Sequence, residues 1–503
     1  MAILDDIPFM LLLMIVPLIG ALVCVLMNGK RGNHAKYAAI SFSGITLMLS
    51  LLLLLTTMDS SFTASMGFTW IDTSYLRIGF DIGIDGMSLL MIMLTAALVL
   101  LVSIFSASEK NRPGSFFAFM LAMEVGLMGV FMAQDYFLFY IFWEVTLIPM
   151  FFLISVWGGP RRHYAAMKFF IYTHVASLIM LIGIFLLASE AAAIAGTGTM
   201  DFSFAAINGT AFGSAFQVAV FALFFIGFAA KMPLVPFHTW LPDAHVEAPT
   251  AGSVLLAGVM LKMGAYGIIR ICFEALPEGA HWWQPMMIFM ALLAIVYGAY
   301  ACIAQKDLKK MVAFSSISHM GMVLLGMATL SGLGIEFAIF QMFAHGLISA
   351  VLFMVCGVCG HNAGTREIPL LGGLAGKMPI FAGFMMFSFL ASLGLPGLAG
   401  FVAEFGIIFS FVEYLSAHQE ILWILMFALS SLLLTAGYYT WAMQRSIFGK
   451  ETEKIDLSEV HDVSRPEGFS MGVLCALIAL FGIMPSLIMA LLSDLPLVLT
   501  GVV

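Results

Sequence analysis

The sequence predicts an all-α polytopic membrane protein of about fourteen transmembrane helices, arranged as two inverted five-helix repeats with the seventh and twelfth helices broken. Three observations predict it. Of 503 residues, 62% are hydrophobic and only 10% charged, against roughly 25% charged in soluble domains. Fourteen apolar stretches have the length of about twenty residues that a helix rising 1.5 Å per residue needs to cross about 30 Å of hydrocarbon. Finally, the basic residues fall in alternate loops. If the N-terminus faces outward, every one of the 21 lysines and arginines except Arg77, Arg270, Lys231 and Lys262 sits on the inner side, as the positive-inside rule requires. Both termini are then on the outer side.

In chain order the expected spans are 8–28, 37–57, 85–107, 114–133, 135–156, 164–189, 211–231, 249–272, 284–304, 308–329, 335–359, 378–415 with a break, 421–444 and 469–493. The first begins near Pro8 behind Asp5 and Asp6, without the basic start of a cleaved leader, and reads as a retained helix. Helix seven ends in Lys231-Met232-Pro233-Leu234-Val235-Pro236, and helix twelve contains Gly394-Leu395-Pro396-Gly397. Proline lacks the backbone donor and crowds the preceding turn, so both helices must be interrupted. Each broken helix is fourth in a set of five, 4–8 and 9–13, and an odd set inverts the next one. Broken helices at matching places in inverted repeats point to an ion path. The chain divides accordingly into 1–113 (helices 1–3), 114–272 (first repeat), 273–446 (second repeat) and 447–503 (a loop and helix 14).

The net charge of −8 is spread over short loops and implies no nucleic-acid partner; the bilayer is the partner composition demands. Six cysteines, Cys24, Cys272, Cys302, Cys356, Cys359 and Cys475, include one C-x-x-C inside an apolar helical run. That pair reads as small packing residues rather than a redox or metal pair. Phosphate-binding glycine loops, haem motifs and iron–sulfur spacings are missing from the sequence, so no cofactor and no redox centre are expected in this chain.

Charged residues at a helix centre cost about 2.5–3.5 kcal/mol on insertion scales, yet this chain keeps several. Glu144 lies mid-helix in Phe142-Trp143-Glu144-Val145, Lys231 ends the first half of helix seven, Lys262 is central in helix eight, Glu124 in helix four, and Glu404 follows the break of helix twelve. His319 and His345 are central in helices ten and eleven, and His238 and His245 follow helix seven. Glu144 and Lys231 are either an ion pair joining two helices or a pair that parts to exchange a proton. His238 and His245 either stabilise the connection or take up protons. Carboxylates, amines and imidazoles alternating across the midplane are the chemistry of a proton relay, because burial disfavours their charged forms and a neighbouring opposite charge restores them.

The runs Phe142-Trp143-Glu144, Lys231-Met232-Pro233, Trp240-Leu241-Pro242-Asp243-Ala244-His245, Ala248-Pro249-Thr250-Ala251-Gly252-Ser253 and Ser315-Ser316-Ile317-Ser318-His319-Met320-Gly321 resemble the antiporter-like membrane subunits of complex I. The likeness extends from about helix three to helix thirteen and is strongest to the M type, since the L and N types and the Mrp antiporters usually carry lysine where this chain has Glu404. The resemblance implies a proton-translocating subunit of NADH:quinone oxidoreductase in a bacterial cytoplasmic membrane, beside L- and N-type subunits, with FMN, iron–sulfur clusters and quinone held by other subunits. It further implies a channel taking protons up at Glu144 and Lys231, relaying through Lys262 with His319 and His345 bridging by water, and ending at Glu404. A component of an Mrp-type Na+/H+ antiporter or of a membrane-bound hydrogenase is the alternative.

Overall fold

The structure is a computed structural model that describes residues 9–57, 64–418, 423–450 and 460–492. Asp5, Asp6, Lys454 and both chain ends, whose side of the membrane the charge pattern assigns, lie outside the described residues. Among those described, fourteen helices are long and apolar enough to cross a membrane: Phe9–Leu26, Gly32–Leu55, Gly86–Phe105, Pro113–Met132, Tyr136–Trp157, Arg162–Ala195, Ser214–Lys231, Thr250–Phe273, Pro277–Ile303, Leu308–Ala328, Gly332–Asn362, Ala399–Ala417, Trp423–Ser446 and Arg465–Ile483. They are called spans 1 to 14. A shorter apolar helix, Pro379–Ser392, precedes span 12 and supplies the first half of the broken helix.

The bundle turns apolar side chains outward and shelters its few membrane charges within a largely apolar core, because lipid solvates hydrocarbon and not amide or charge. Leu22, Leu26, Ile171, Ile182 and Leu433 are exposed, whereas Lys262, Glu124 and His245 are wholly buried. Span 8 is buried along its whole apolar window and spans 10 and 11 almost so, while spans 2, 13 and 14 keep most of theirs exposed. Charge carried by these three helices is therefore kept out of contact with lipid.

Both proline breaks occur as expected, and the backbone groups they free are taken up locally. At the end of span 7 the carbonyl of Phe228 accepts from Met232 N, that of Ala229 from Leu234 N, and that of Ala230 from Trp240 Nε1 at 2.9 Å. The last bond seats a short helix, Trp240–Glu247, under the broken end. Before span 12, Leu393 N and Leu395 N close onto the carbonyls of Phe389 and Leu390. Span 5 is also interrupted, at Thr146, because Pro149 cannot donate to the carbonyl of Val145.

One region departs from an all-helical chain. Residues between spans 2 and 3 form an antiparallel hairpin, β1 (Ala64–Asp72) with β2 (Leu76–Ile84), and β2 pairs in parallel with the short β3 (Met200–Asp201). Arg77 meets Asp201 at 2.9 Å across that junction. Asp135, capping span 5, accepts from Gly79 N at 3.1 Å, Phe137 N at 2.8 Å and Leu138 N at 2.9 Å, tying the hairpin to the bundle. Burial nevertheless pushes its carboxyl up to about 6, against those backbone donors. The hairpin marks one end of the bundle; the loops rich in lysine and arginine mark the other, termed here the basic face.

Candidate functional site

Span 8 is a regular helix only in part. Two wide turns, Leu256–Met260 and Ile268–Phe273, interrupt it; Leu261 N bonds to the carbonyl of Leu256, five residues back. Such turns displace the ladder by one residue and recur at functional sites. Here the Lys262 ammonium donates to the carbonyl of Ala257, five residues back. Lys262 Nζ also lies 2.8 Å from His345 Nδ1 in span 11. An ammonium can only donate, so a protonated Lys262 fixes Nδ1 of His345 as acceptor and leaves its proton on Nε2. The approach of the two helices depends on glycine. A Cβ on Gly346 would lie 2.9 Å from the carbonyl oxygen of Gly258 and 2.7 Å from Leu94 Cδ2, so any side chain there would wedge spans 8 and 11 apart.

From His345 the polar series continues through the core. Its ring centroid is 5.5 Å from that of His319 in span 10, and His319 Nδ1 lies 3.1 Å from Glu404 Oε1 in span 12. His319 Nε2 meets Ser392 Oγ at 3.1 Å, Ser392 Oγ meets Tyr439 OH at 2.9 Å, and Tyr439 OH donates to Ser315 Oγ at 3.1 Å. A carboxylate at Glu404 accepts from Nδ1–H, and Nε2 is then free to accept from the Ser392 hydroxyl. The break positions the acid: Gly394 has φ +79°, and a Cβ on it would lie 3.0 Å from Glu404 Oε2. Lys262, His345, His319 and Glu404 thus follow one another across four helices. Where the resemblance implies water between Lys262 and the histidines, His345 touches the lysine directly.

The other charged pair is arranged differently. Glu144 Oε2 meets His174 Nδ1 at 2.8 Å, and its Oε1 accepts from the Ser177 hydroxyl, both in span 6. Its side chain keeps 22% of its exposure at the bundle surface. Lys231, 1% exposed, donates to Thr146 Oγ1 at 3.3 Å and sits 5.0 Å from the centroid of the Trp143 ring. No ion pair joins Glu144 to Lys231 in this structure, so of the two readings the pair stands parted here. Lys231 instead takes the Thr146 hydroxyl and the face of Trp143.

Glu124 is wholly buried with no hydrogen-bond partner on either oxygen, and the structure does not bring it to the other site residues through any bond. His238 Nε2 meets Tyr297 OH at 3.1 Å while its Nδ1 has no partner; burial first, then Lys168, pushes the ring below its usual value. His174, Ser177, Ser392 and Tyr439 escaped the sequence reading. His174 was the most accessible of these, as the one histidine inside the apolar stretch of span 6. A further buried cluster lies toward the hairpin end: Arg270 donates to Asp85 and to Glu274 (3.0 Å), joining spans 3 and 8. Cys356 and Cys359 are buried free thiols, and among the described residues no three His, Cys, Asp or Glu side chains gather as a metal site would need.

Residues 133–435 match the family model described as NADH:quinone oxidoreductase/Mrp antiporter, TM. The chain is 42% identical over 492 residues to F(420)H(2) dehydrogenase subunit M of Methanosarcina mazei, covering 95% of each chain. It is 38% identical over 489 residues to NADH-quinone oxidoreductase subunit M of Rhodobacter capsulatus, covering 95% of this chain and 93% of that one. Among solved structures it superimposes on a chain of respiratory complex I from Thermus thermophilus with TM-score 0.83 and 27% identity, covering 96% of this chain and 98% of that one.

Proposed function

This chain belongs to the NADH:quinone oxidoreductase/Mrp antiporter family of membrane subunits, and from that membership we propose that its core polar series carries protons across the membrane, driven by quinone reduction in companion subunits. It is an antiporter-like, multi-pass membrane subunit of the complex I family, similar along nearly its whole length to M-type subunits. The observation that carries the proposal is the unbroken order Lys262, His345, His319, Glu404 inside the buried core. Each member can hold or release a proton, and the neighbours are close enough to hand one on directly or through one water.

In this reading Lys231 and Glu144 are the switchable pair. Bringing them together would compensate both charges, while parting them leaves Lys231 to repel a proton on Lys262. Glu144 and His174 at the bundle surface suit contact with a neighbouring L- or N-type subunit that excludes lipid from them. Residues 114–272 and 273–446 act as two inverted half-channels, with 1–113 and 447–503 flanking them. The basic loops face the cytoplasm of a bacterial cell and the hairpin end faces outward, so that protons leave past Glu404. His238 and Glu124 are assigned supporting roles in hydration of the path.

The strength of the match to a subunit of F(420)H(2) dehydrogenase favours one refinement. The electron donor is set by other subunits, and the membrane machinery is indifferent to whether the donor is NADH or F(420)H(2). An Mrp-type antiporter is the second reading; full-length similarity to two M-type subunits of oxidoreductases favours the first. The test is Glu404→Gln in the assembled complex in vesicles. Coupled quinone reduction and proton uptake should fall together while oxidation of the soluble donor by an artificial acceptor persists. Unchanged pumping would remove Glu404 from the path.

A further inference from the structure

The hydroxyl groups beside His319 have a direction as well as a spacing. Ser315 lies one turn before His319 in span 10, and its hydroxyl donates to the carbonyl of Val312 at 2.8 Å, the local bond that a serine inside a helix commonly makes. That spends its one hydrogen. Tyr439 OH is therefore the donor to Ser315 Oγ at 3.1 Å. With the tyrosine hydrogen spent as well, the 2.9 Å contact between Ser392 Oγ and Tyr439 OH is filled by the hydrogen of Ser392. Ser392 then has nothing left to give, and its 3.1 Å contact with His319 Nε2 closes only if the ring donates. All four side chains are buried, so a contact left without a hydrogen would cost a buried unsatisfied group.

The opposite polarity, with Ser392 donating to Nε2, leaves the contact between Ser392 and Tyr439 empty unless Ser315 lets go of the Val312 carbonyl. On the other side of the ring, Nδ1 lies 3.1 Å from Glu404 Oε1. With the ring hydrogen on Nε2, Nδ1 turns a lone pair toward that oxygen, and the contact closes only around one further proton. The hydroxyl series ends on a backbone carbonyl, which has no hydrogen to pass on. It can orient the ring but offers the relayed proton no second way out.

We infer that Tyr439, acting through Ser392, is a positioning residue that holds the resident hydrogen of His319 on Nε2 and so makes Nδ1 the one ring atom that exchanges the relayed proton with Glu404. A proton arriving from the His345 side binds the Nδ1 lone pair and makes the ring an imidazolium. The Nδ1–H bond breaks as Glu404 Oε1 takes that proton, and the neutral ring is left with its hydrogen still on Nε2. Acceptance and release use the same nitrogen. The ring therefore begins every cycle as the same tautomer and has no need to turn over, and a second-shell bond to one imidazole nitrogen is the usual means of fixing which tautomer the other presents.

This assignment rests on the proposed passage of protons through His319 and Glu404, and two separate readouts keep the two apart. In purified whole complexes carrying isotope-labelled histidine, the infrared ring C–N stretch differs between the Nδ1–H and Nε2–H forms, and the His319 band is the one lost in His319→Gln. The unmodified complex should show Nε2–H. Ser315→Ala touches neither His319 nor Glu404, yet it frees Tyr439 to donate to Ser392 and Ser392 to donate to Nε2. His319 should then become Nδ1–H, and pumping should fall by about tenfold, the scale of a misplaced proton-transfer group. Tyr439→Phe, which keeps the ring packed on Phe389 with centroids 4.6 Å apart, should do the same; Ser315→Thr, which keeps the hydroxyl, should retain both the tautomer and the pumping. If Tyr439→Phe fails to assemble, the two Ser315 variants decide. A merely structural role would lower assembly and leave the tautomer in place. An Nε2–H ring in Ser315→Ala overturns the assignment, as does an Nδ1–H ring in the unmodified complex, or normal pumping by Ser315→Ala with the tautomer changed. Normal pumping by Glu404→Gln overturns the underlying path instead, while the infrared band still reports the tautomer.

Discussion

Glu144 is held at the bundle surface by His174 and Ser177, while the nearby Lys231 turns to Thr146 and the face of Trp143. Lys262, His345, His319 and Glu404 instead follow one another within the closed core. The first arrangement keeps opposite charges apart and leaves one of them open to a neighbour; the second keeps titratable groups in series and sheltered. Separated charges respond to a change in field, because small motions alter how well each is compensated. A series in contact transmits. Under the proposed function, the difference suits the first region to coupling and the second to conduction.

That division can be broken from the conducting side first. Replacing Lys262 by Ala removes the start of the series, and pumping and coupled quinone reduction in reconstituted complexes should fall by about a hundredfold, within the range of a lost general acid–base group. Next comes Glu404. Gln there should cost about tenfold or more, whereas Lys should retain measurable pumping, since it can donate to His319 as Lys262 does to His345. Equal losses for Gln and Lys would contradict direct transfer from His319. Gly346→Val should drive spans 8 and 11 apart at Gly258, lowering thermal stability by about 1–3 kcal/mol, the usual cost of overpacking. Its pumping should drop more than its assembly does, and a variant that pumps normally would show that the lysine–histidine contact is dispensable.

On the coupling side the effects should be smaller and of another kind. Glu144→Ala should reduce pumping several-fold while proton leak through the core stays low, as read by passive decay of an imposed pH gradient. His174→Gln, which keeps a hydrogen-bond donor for Glu144, should cost only about two- to threefold, below the loss expected for an essential proton carrier. If His174→Gln matched Lys262→Ala, the surface region would be a conductor as well.

Much of this was legible in the residues. Span count, the two broken helices and the intramembrane charges follow from hydropathy and proline, because lipid enforces both rules without reference to neighbours. What those charges touch was not legible. The wide turn at Leu256–Met260 rotates everything after it by one residue, so helical periodicity misplaces Lys262 relative to His345, and no proline announces the turn. Nor does the sequence show that Lys231 meets the Thr146 hydroxyl and the Trp143 ring rather than Glu144. His174 and Ser392 look unremarkable until the packing of spans 5 with 6 and of span 10 with the broken helix is known. The hairpin at Ala64–Ile84 alternates weakly and carries exposed Phe68 and Trp70, a pattern easily passed over between two strong helices.

The most direct test of conduction through the core is a comparison at one position, Lys262, because it separates charge from titration. Lysine can release its proton when desolvated, whereas arginine keeps its own in almost any protein setting. Proton pumping per quinone reduced should be measured for Lys262→Arg in purified complexes matched for subunit content. A relay predicts an assembled complex with most of its pumping lost and little advantage over Lys262→Ala. Full pumping by Lys262→Arg would contradict the account and leave Lys262 a fixed charge beside the path.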